Sequence, residues 1–225
     1  MIFGFFLFLM ILSYIVQYRL KSKFKKYSQM PIAQGMTGKD VAERMLQSNN
    51  IKDVKVLSTS GRLTDHYNPA NKTINLSEDV YGTCSVAAAA VAAHECGHAV
   101  QHAESYAWLQ FRSAIVPVIS FASNWVQWVL LAGILLIQSF PQLLLVGIVM
   151  FALTTLFSFI TLPVEIDASQ RALAWLNING ITDHSSHPKA QEALRWAAYT
   201  YVVAALASLA TLLYYIAIFL GGRKN

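Results

Sequence analysis

Two histidines four residues apart, with a glutamate directly after the first, form the segment His94-Glu95-Cys96-Gly97-His98. On an α-helix, positions i and i+4 project from one face about one turn apart, so both imidazoles can bind a single Zn²⁺. Glu95 is offset in angle and reaches a water at the metal rather than the metal itself, the place of a general base in peptide hydrolysis. The competing reading is a chance match. Three polar side chains on an apolar, alanine-rich helix would be costly to bury without partners, which favours a built site.

Two imidazoles do not close a catalytic zinc site, which takes three protein ligands and keeps one position for water. His102 continues the spacing at i+8, but an unbroken helix carries it a further turn, about 6 Å, along the axis. It is therefore expected beside the site or at the surface. The stronger candidate is Glu165 in Leu162-Pro163-Val164-Glu165-Ile166-Asp167-Ala168-Ser169. Asp167 or Ser169 would then hold the free imidazole N–H of a ligand. A structural reading instead makes Glu165 and Asp167 helix N-terminal carboxylates that favour the dipole. His184 and His187, among Ser185, Ser186 and Pro188, read as solvated loop residues, and Arg171, His66 and Tyr201 are unranked candidates for stabilising an oxyanion.

The helix that carries the motif is expected over 85–111, a stretch rich in alanine in which Gly97 is the sole glycine or proline. Upstream, Thr37 with Asp40 three residues later resembles a capping box and opens an amphipathic helix through Val41, Ala42, Met45 and Leu46. β-prone stretches follow at 54–57, 63–67 and 73–76, the last two flanking the turn Asn68-Pro69-Ala70-Asn71. Ser77 is placed to cap a short helix with Glu78 and Asp79. An extended substrate is expected to add to the edge of the strand at 73–76 through main-chain hydrogen bonds.

The 225 residues are 55% hydrophobic and 13% charged, too apolar for a soluble domain of this length. Apolar segments at 2–18, 114–137, 142–162 and 196–220 approach or exceed the roughly 20 residues of a membrane-crossing helix. The first reads as an uncleaved anchor, because basic residues follow it rather than precede it and no small-residue cleavage site appears. The second and third, joined by Gln138-Ser139-Phe140-Pro141, read as a transmembrane hairpin. The expected layout is an anchor at 1–18 and a soluble region with a small β-hairpin and the motif helix at 19–113. The membrane hairpin at 114–162 follows, then a soluble helix and loop supplying the third ligand at 163–195, and a last membrane helix and tail at 196–225.

A net charge of +5 could point to nucleic acid, but Arg19, Lys21, Lys23, Lys25 and Lys26 directly follow the first apolar run, and no basic patch interleaved with aromatics occurs elsewhere. Nucleic acid is set aside. The positive-inside rule puts 19–113 and 163–195 in the cytoplasm, with Arg223 and Lys224 as dissenting charges across the membrane. Cys84 and Cys96 cannot supply a disulfide framework and read as free thiols.

Three blocks occur in order: Asp65-His66-Tyr67-Asn68-Pro69, Ala92-Ala93-His94-Glu95-Cys96-Gly97-His98-Ala99-Val100-Gln101, and Leu162 to Ser169 as written above. Together they resemble the YugP-like family of bacterial membrane neutral zinc metallopeptidases over nearly the whole chain. More distantly the chain is similar to the HtpX and CAAX prenyl protease group, whose third zinc ligand is a glutamate after the motif helix, which implies Glu165. In that group an aspartate four residues beyond the ligand supports the first histidine. Here Ser169 stands at that position and Asp167 lies two residues earlier.

The expectation is a mainly α, polytopic membrane protein with about four transmembrane helices and a small α+β zinc-peptidase region. It would hydrolyse peptide bonds with one catalytic Zn²⁺ held by His94, His98 and Glu165, and with Glu95 as the base. Its partners would be the lipid bilayer and a polypeptide substrate, membrane-associated chains being favoured by location, with the catalytic region on the cytoplasmic side of the cell membrane. The rivals are an intramembrane protease, a divalent-metal transporter and a non-catalytic metal-stabilised membrane scaffold. The motif lies outside the long apolar spans, which counts against the first two.

Overall fold

A computed structural model describes residues 2–222. Arg223 and Lys224, read above as dissenting charges, lie outside the described residues. In chain order the elements are α1 (Ile2–Tyr27), α2 (Gly38–Ser48), β1 (Lys55–Thr59), β2 (His66–Asn68), β3 (Thr73–Ser77), α3 (Glu78–Tyr81), α4 (Val86–Ala103), α5 (Ala107–Leu135), α6 (Pro141–Ile178) and α7 (His187–Gly222). The fold is mainly helical with one small sheet, and α1, α5, α6 and α7 are long and apolar enough to cross a membrane. The chain forms two compact units, one of Tyr14–Leu109 with Pro163–Thr200 and one of Met1–Ser13, Gln110–Leu162 and Tyr201–Asn225.

The first of these units contains the motif. Its α2 starts at the expected capping box: Asp40 N donates to Thr37 Oγ1 at 3.2 Å and Thr37 N donates to Asp40 Oδ2 at 2.8 Å. The helix then buries Val41, Ala42, Met45 and Leu46, a stripe at helical spacing, in the core that also surrounds α4. The expected hairpin is present as β2 and β3, but β1 pairs with β3 on its other side, giving the order β1-β3-β2. The strand at 73–76 is thus the central one. Its backbone groups are already used by two neighbours, so the expectation that a substrate adds there is corrected. Ser77 does not cap α3 with its side chain either; its Oγ and backbone N both donate to Asp65.

Three helix boundaries differ from the sequence expectation. The motif helix stops at Ala103 rather than reaching 111, because Ser105 adopts a left-handed conformation with φ 56°. Ser105 N donates to His102 O and Tyr106 N to Gln101 O, the pair of bonds that ends a helix in a Schellman turn. Glycine usually marks such an end, and serine gives no such signal. Conversely, α6 runs unbroken through Pro163, so Glu165 and Asp167 sit well inside a helix and the dipole role for them is overturned. α7 begins at His187, and Thr182 Oγ1 lies 3.0 Å from His187 Nδ1, while His184 stays in the preceding loop as expected.

The other unit is built on the hairpin of α5 and α6. Pro141 opens α6 at a position where its missing N–H costs nothing. A Cβ at Gly133 would stand 2.5 Å from Leu144 Cα, so the two arms touch backbone to backbone there, and Leu130, Leu144 and Ile148 are buried beside that contact. Thr155 and Ser208 link α6 to α7 by a 2.7 Å hydroxyl bond. Large apolar side chains such as Phe121, Trp125, Trp128 and Leu135 remain exposed.

Candidate metal centre

Every residue of α4 is buried except His94, His102 and Ala103, His94 being half-buried. A run of small side chains, Ala87 to Ala90 with Ala92 and Ala93, lets neighbouring elements approach closely. Gly97 carries this furthest. A Cβ there would meet the Ala168 carbonyl oxygen at 2.6 Å, so α6 passes against α4 at backbone distance. Glu165 lies three residues before that contact and is thereby brought to the two histidines.

His94 Nε2 is 3.3 Å and His98 Nε2 3.7 Å from Glu165 Oε2, and the rings stand 4.8 Å apart at 81°. The three donor atoms lie within 4.8 Å of one another, a group able to hold a metal ion. Ligands about 2.0–2.1 Å from a tetrahedral zinc are separated from each other by about 3.3 Å, so the observed spacings suit atoms sharing one ion. Two imidazoles and one carboxylate are also the donor types of a catalytic zinc site, which keeps a fourth position open.

Glu95 is buried but stands apart from that group. Its Oε2 accepts the backbone N–H of Tyr67 at 2.9 Å, so β2, through the side of Tyr67 turned away from β3, fixes the carboxylate. The Tyr67 hydroxyl lies 2.7 Å from His102 Nδ1. His102 therefore stands beside the site, as expected, and braces the strand that holds Glu95.

A second ring of polar groups surrounds the histidines. Ser169 Oγ is 3.1 Å from His94 Nδ1, which answers the choice between Ser169 and Asp167 for that imidazole. His98 Nδ1 meets Gln101 Oε1 at 3.0 Å, and Gln101 Nε2 donates to Val164 O at 2.8 Å and to Asp167 Oδ2 at 2.7 Å. Asp167 in turn accepts from Arg171 Nε at 2.6 Å, and Arg171 Nη1 reaches Glu104 at 2.6 Å. Asp167 thus acts on a histidine only through Gln101.

Charge and burial oppose each other at His98. Burial disfavours its charged form, yet hydrogen bonding to Glu165 and the negative charges of Glu165 and Glu95 raise it above the ordinary imidazole value. The field that draws a proton there would equally draw a cation. Burial pushes the Cys96 thiol well up, with Glu95 adding to the effect, so the cysteine inside the motif is an inert core group; it donates weakly to Ala42 O at 3.5 Å.

Of the residues singled out in the sequence, His94, His98 and Glu165 converge, with Ser169 on His94, while Glu95, next to His94 in sequence, is held by Tyr67. Two of the oxyanion candidates, Arg171 and His66, are held by other partners. Arg171 is engaged by Asp167 and Glu104, and His66 by Thr64 O and Asn75. Sequence reasoning missed Gln101 and Tyr67. A glutamine three residues past His98 on an otherwise apolar face signalled a need for partners, whereas the backbone N–H of Tyr67 leaves no trace in a sequence.

Comparison with known proteins agrees with this geometry. A family model described as "Putative neutral zinc metallopeptidase" matches residues 2–220. The chain is 43% identical over 214 residues to a Bacillus subtilis (strain 168) protein named "Putative membrane protease YugP", covering 95% of this chain and 94% of that one. No solved structure matches. A match spanning almost every residue, with a zinc-type donor set inside it and, among the described residues, four helices long and apolar enough to cross a membrane, leaves one assignment: the chain belongs to this family of membrane neutral zinc metallopeptidases.

Proposed function

We propose that the protein is a membrane-embedded endopeptidase in which His94, His98 and Glu165 hold one Zn²⁺ and Glu95 is the general base. One observation carries the reading: three zinc-type donor atoms from α4 and α6 lie within 4.8 Å of one another, while the adjacent carboxylate of Glu95 is held aside by Tyr67. Zinc held by such a set supplies a Lewis acid that makes water nucleophilic near neutral pH and polarises a peptide carbonyl.

The chain's own groups do the rest. Glu95 takes a proton from the attacking water and delivers it to the leaving amine. The Tyr67 N–H keeps its carboxylate turned to the water rather than collapsing onto the ligands. Ser169 and Gln101 orient the imidazoles, and the buried surroundings of α4 exclude bulk solvent. The basic cluster from Arg19 to Lys26 supports a cytoplasmic site, and a polypeptide near the membrane is the substrate this location favours.

The test is Glu95→Gln in detergent-purified protein, with zinc content and hydrolysis of casein measured together. The expected result is one retained equivalent of zinc with kcat lower by about 10²–10⁴. Retained zinc with unchanged hydrolysis would remove Glu95 from the mechanism. A wild-type protein that binds zinc but cleaves nothing would favour the scaffold reading.

A further inference from the structure

Gln101 is fully buried, and its position three residues after His98 places it one turn along the same face of α4. An amide has one acceptor end and one donor end. Here the donor end is committed twice, to the Val164 carbonyl at 2.8 Å and to the Asp167 carboxylate at 2.7 Å, and both of those groups accept only. Turning the amide over would set its oxygen against two oxygens. The orientation is therefore dictated by the network and not by a choice between look-alike atoms. The oxygen must face His98, and the ring nitrogen 3.0 Å away, Nδ1, must carry the hydrogen.

We infer that Gln101 is a positioning residue that sets the tautomer of His98 for the metal: it fixes the proton on Nδ1 and so leaves Nε2 as the ring atom that would hold an ion shared with Glu165. Asp167 cannot do this directly, because it lies beyond the amide. Arg171 then holds Asp167, and Glu104 and the ring of Tyr106, 5.8 Å from the guanidinium, hold Arg171. The relay runs His98–Gln101–Asp167–Arg171–Glu104 and ends on the C-cap residue of α4. His94 has a less selective partner, because the Ser169 hydroxyl can donate or accept. The two imidazoles thus differ, one locked and one adaptable. The inference rests on the proposed zinc site.

Two measurements test it. The first is the zinc dissociation constant of wild type and Gln101→Leu by competition with a chromophoric chelator. The second is the tautomer of His98 in wild type, from nitrogen–proton correlations of isotope-labelled histidine assigned by loss of the signal in His98→Asn. Gln101→Leu is expected to weaken zinc by about 10–100-fold, and the wild-type spectrum to show hydrogen on Nδ1. Loss of affinity without loss of helical circular dichroism separates this from general unfolding. An unchanged dissociation constant in a folded variant, or hydrogen on Nε2 in wild type, overturns the inference. If Gln101→Leu does not fold, the wild-type spectrum decides alone. Failure of the zinc reading itself looks different, since wild type would then take up no stoichiometric zinc.

Discussion

α4 and α5 are both apolar helices with few charges, yet they meet opposite surroundings. α4 is nearly all buried in protein, and its side chains are mostly alanine and valine; α5 exposes Phe121, Trp125, Trp128 and Leu135. Small side chains let other elements approach to backbone distance and enclose polar groups, which then find partners: Glu95, His98 and Gln101 each have one. Large side chains keep neighbours away and cover a helix with its own hydrocarbon, which suits lipid. Side-chain volume, more than hydropathy, separates the helix that carries the donor group from a helix long and apolar enough to cross a membrane.

The largest break in this contrast is removal of the carboxylate that α6 supplies to α4. Glu165→Ala is expected to cost zinc affinity by more than the roughly 100-fold upper range of a group that merely supports a ligand, read as metal content after gel filtration in detergent. A full equivalent of zinc retained by the variant would show that Glu165 is not a ligand.

Next comes charge on the lipid-type helix. Trp125 is exposed and lies mid-way along the second apolar segment, so Trp125→Asp should disfavour membrane insertion by about 2.5–3.5 kcal/mol. A membrane-fractionation assay reads it, and unimpaired insertion would mean that this face is not turned to lipid.

Two glycines sharpen the comparison. Gly97→Ala puts a methyl group 2.6 Å from Ala168 O, and Gly133→Ala puts one 2.5 Å from Leu144 Cα. Both should destabilise by about 1–3 kcal/mol in thermal unfolding. Only Gly97→Ala should also weaken zinc, because it displaces the turn of α6 that carries Glu165. Equal zinc affinity in the two variants would separate the helix approach from the metal site.

The smallest effect concerns the start of α2. The hydrogen bonds from Thr37, side chain first and backbone second, hold the Asp40 carboxyl below its ordinary value. A lowered folded-state value means that the contribution is complete above the unfolded value of 3.8 and is lost as pH falls through the lower folded one. Asp40→Ala should therefore cost about 1 kcal/mol at neutral pH, and the gap to wild type should close in strongly acidic solution. Denaturant midpoints at both pH values check it.

Much of this architecture was legible from particular residues. The Thr37–Asp40 pair located the start of α2, and the turn after Asn68 located the hairpin. The i, i+4 histidines located one half of the metal group. Boundaries that depend on backbone geometry were not legible. Ser105 in a left-handed conformation ends α4 without a glycine, and Pro163 sits inside α6 where a proline usually marks an end. The third strand neighbour was hidden because the parallel pairing of β1 with β3 skips over β2, which lies between them in the chain.

Local chemistry is written in short-range spacing, because a helix turns residues four apart onto one face whatever surrounds it. Sequence therefore determined by itself that the chain has four apolar helices, that His94 and His98 share a face, and that Glu165 is the carboxylate to watch. Tertiary structure decided what that face meets. The approach of α6 at Gly97, the grip of Tyr67 on Glu95 and the locked amide of Gln101 all depend on backbone groups and contacts from distant elements, and such groups are the same in every residue.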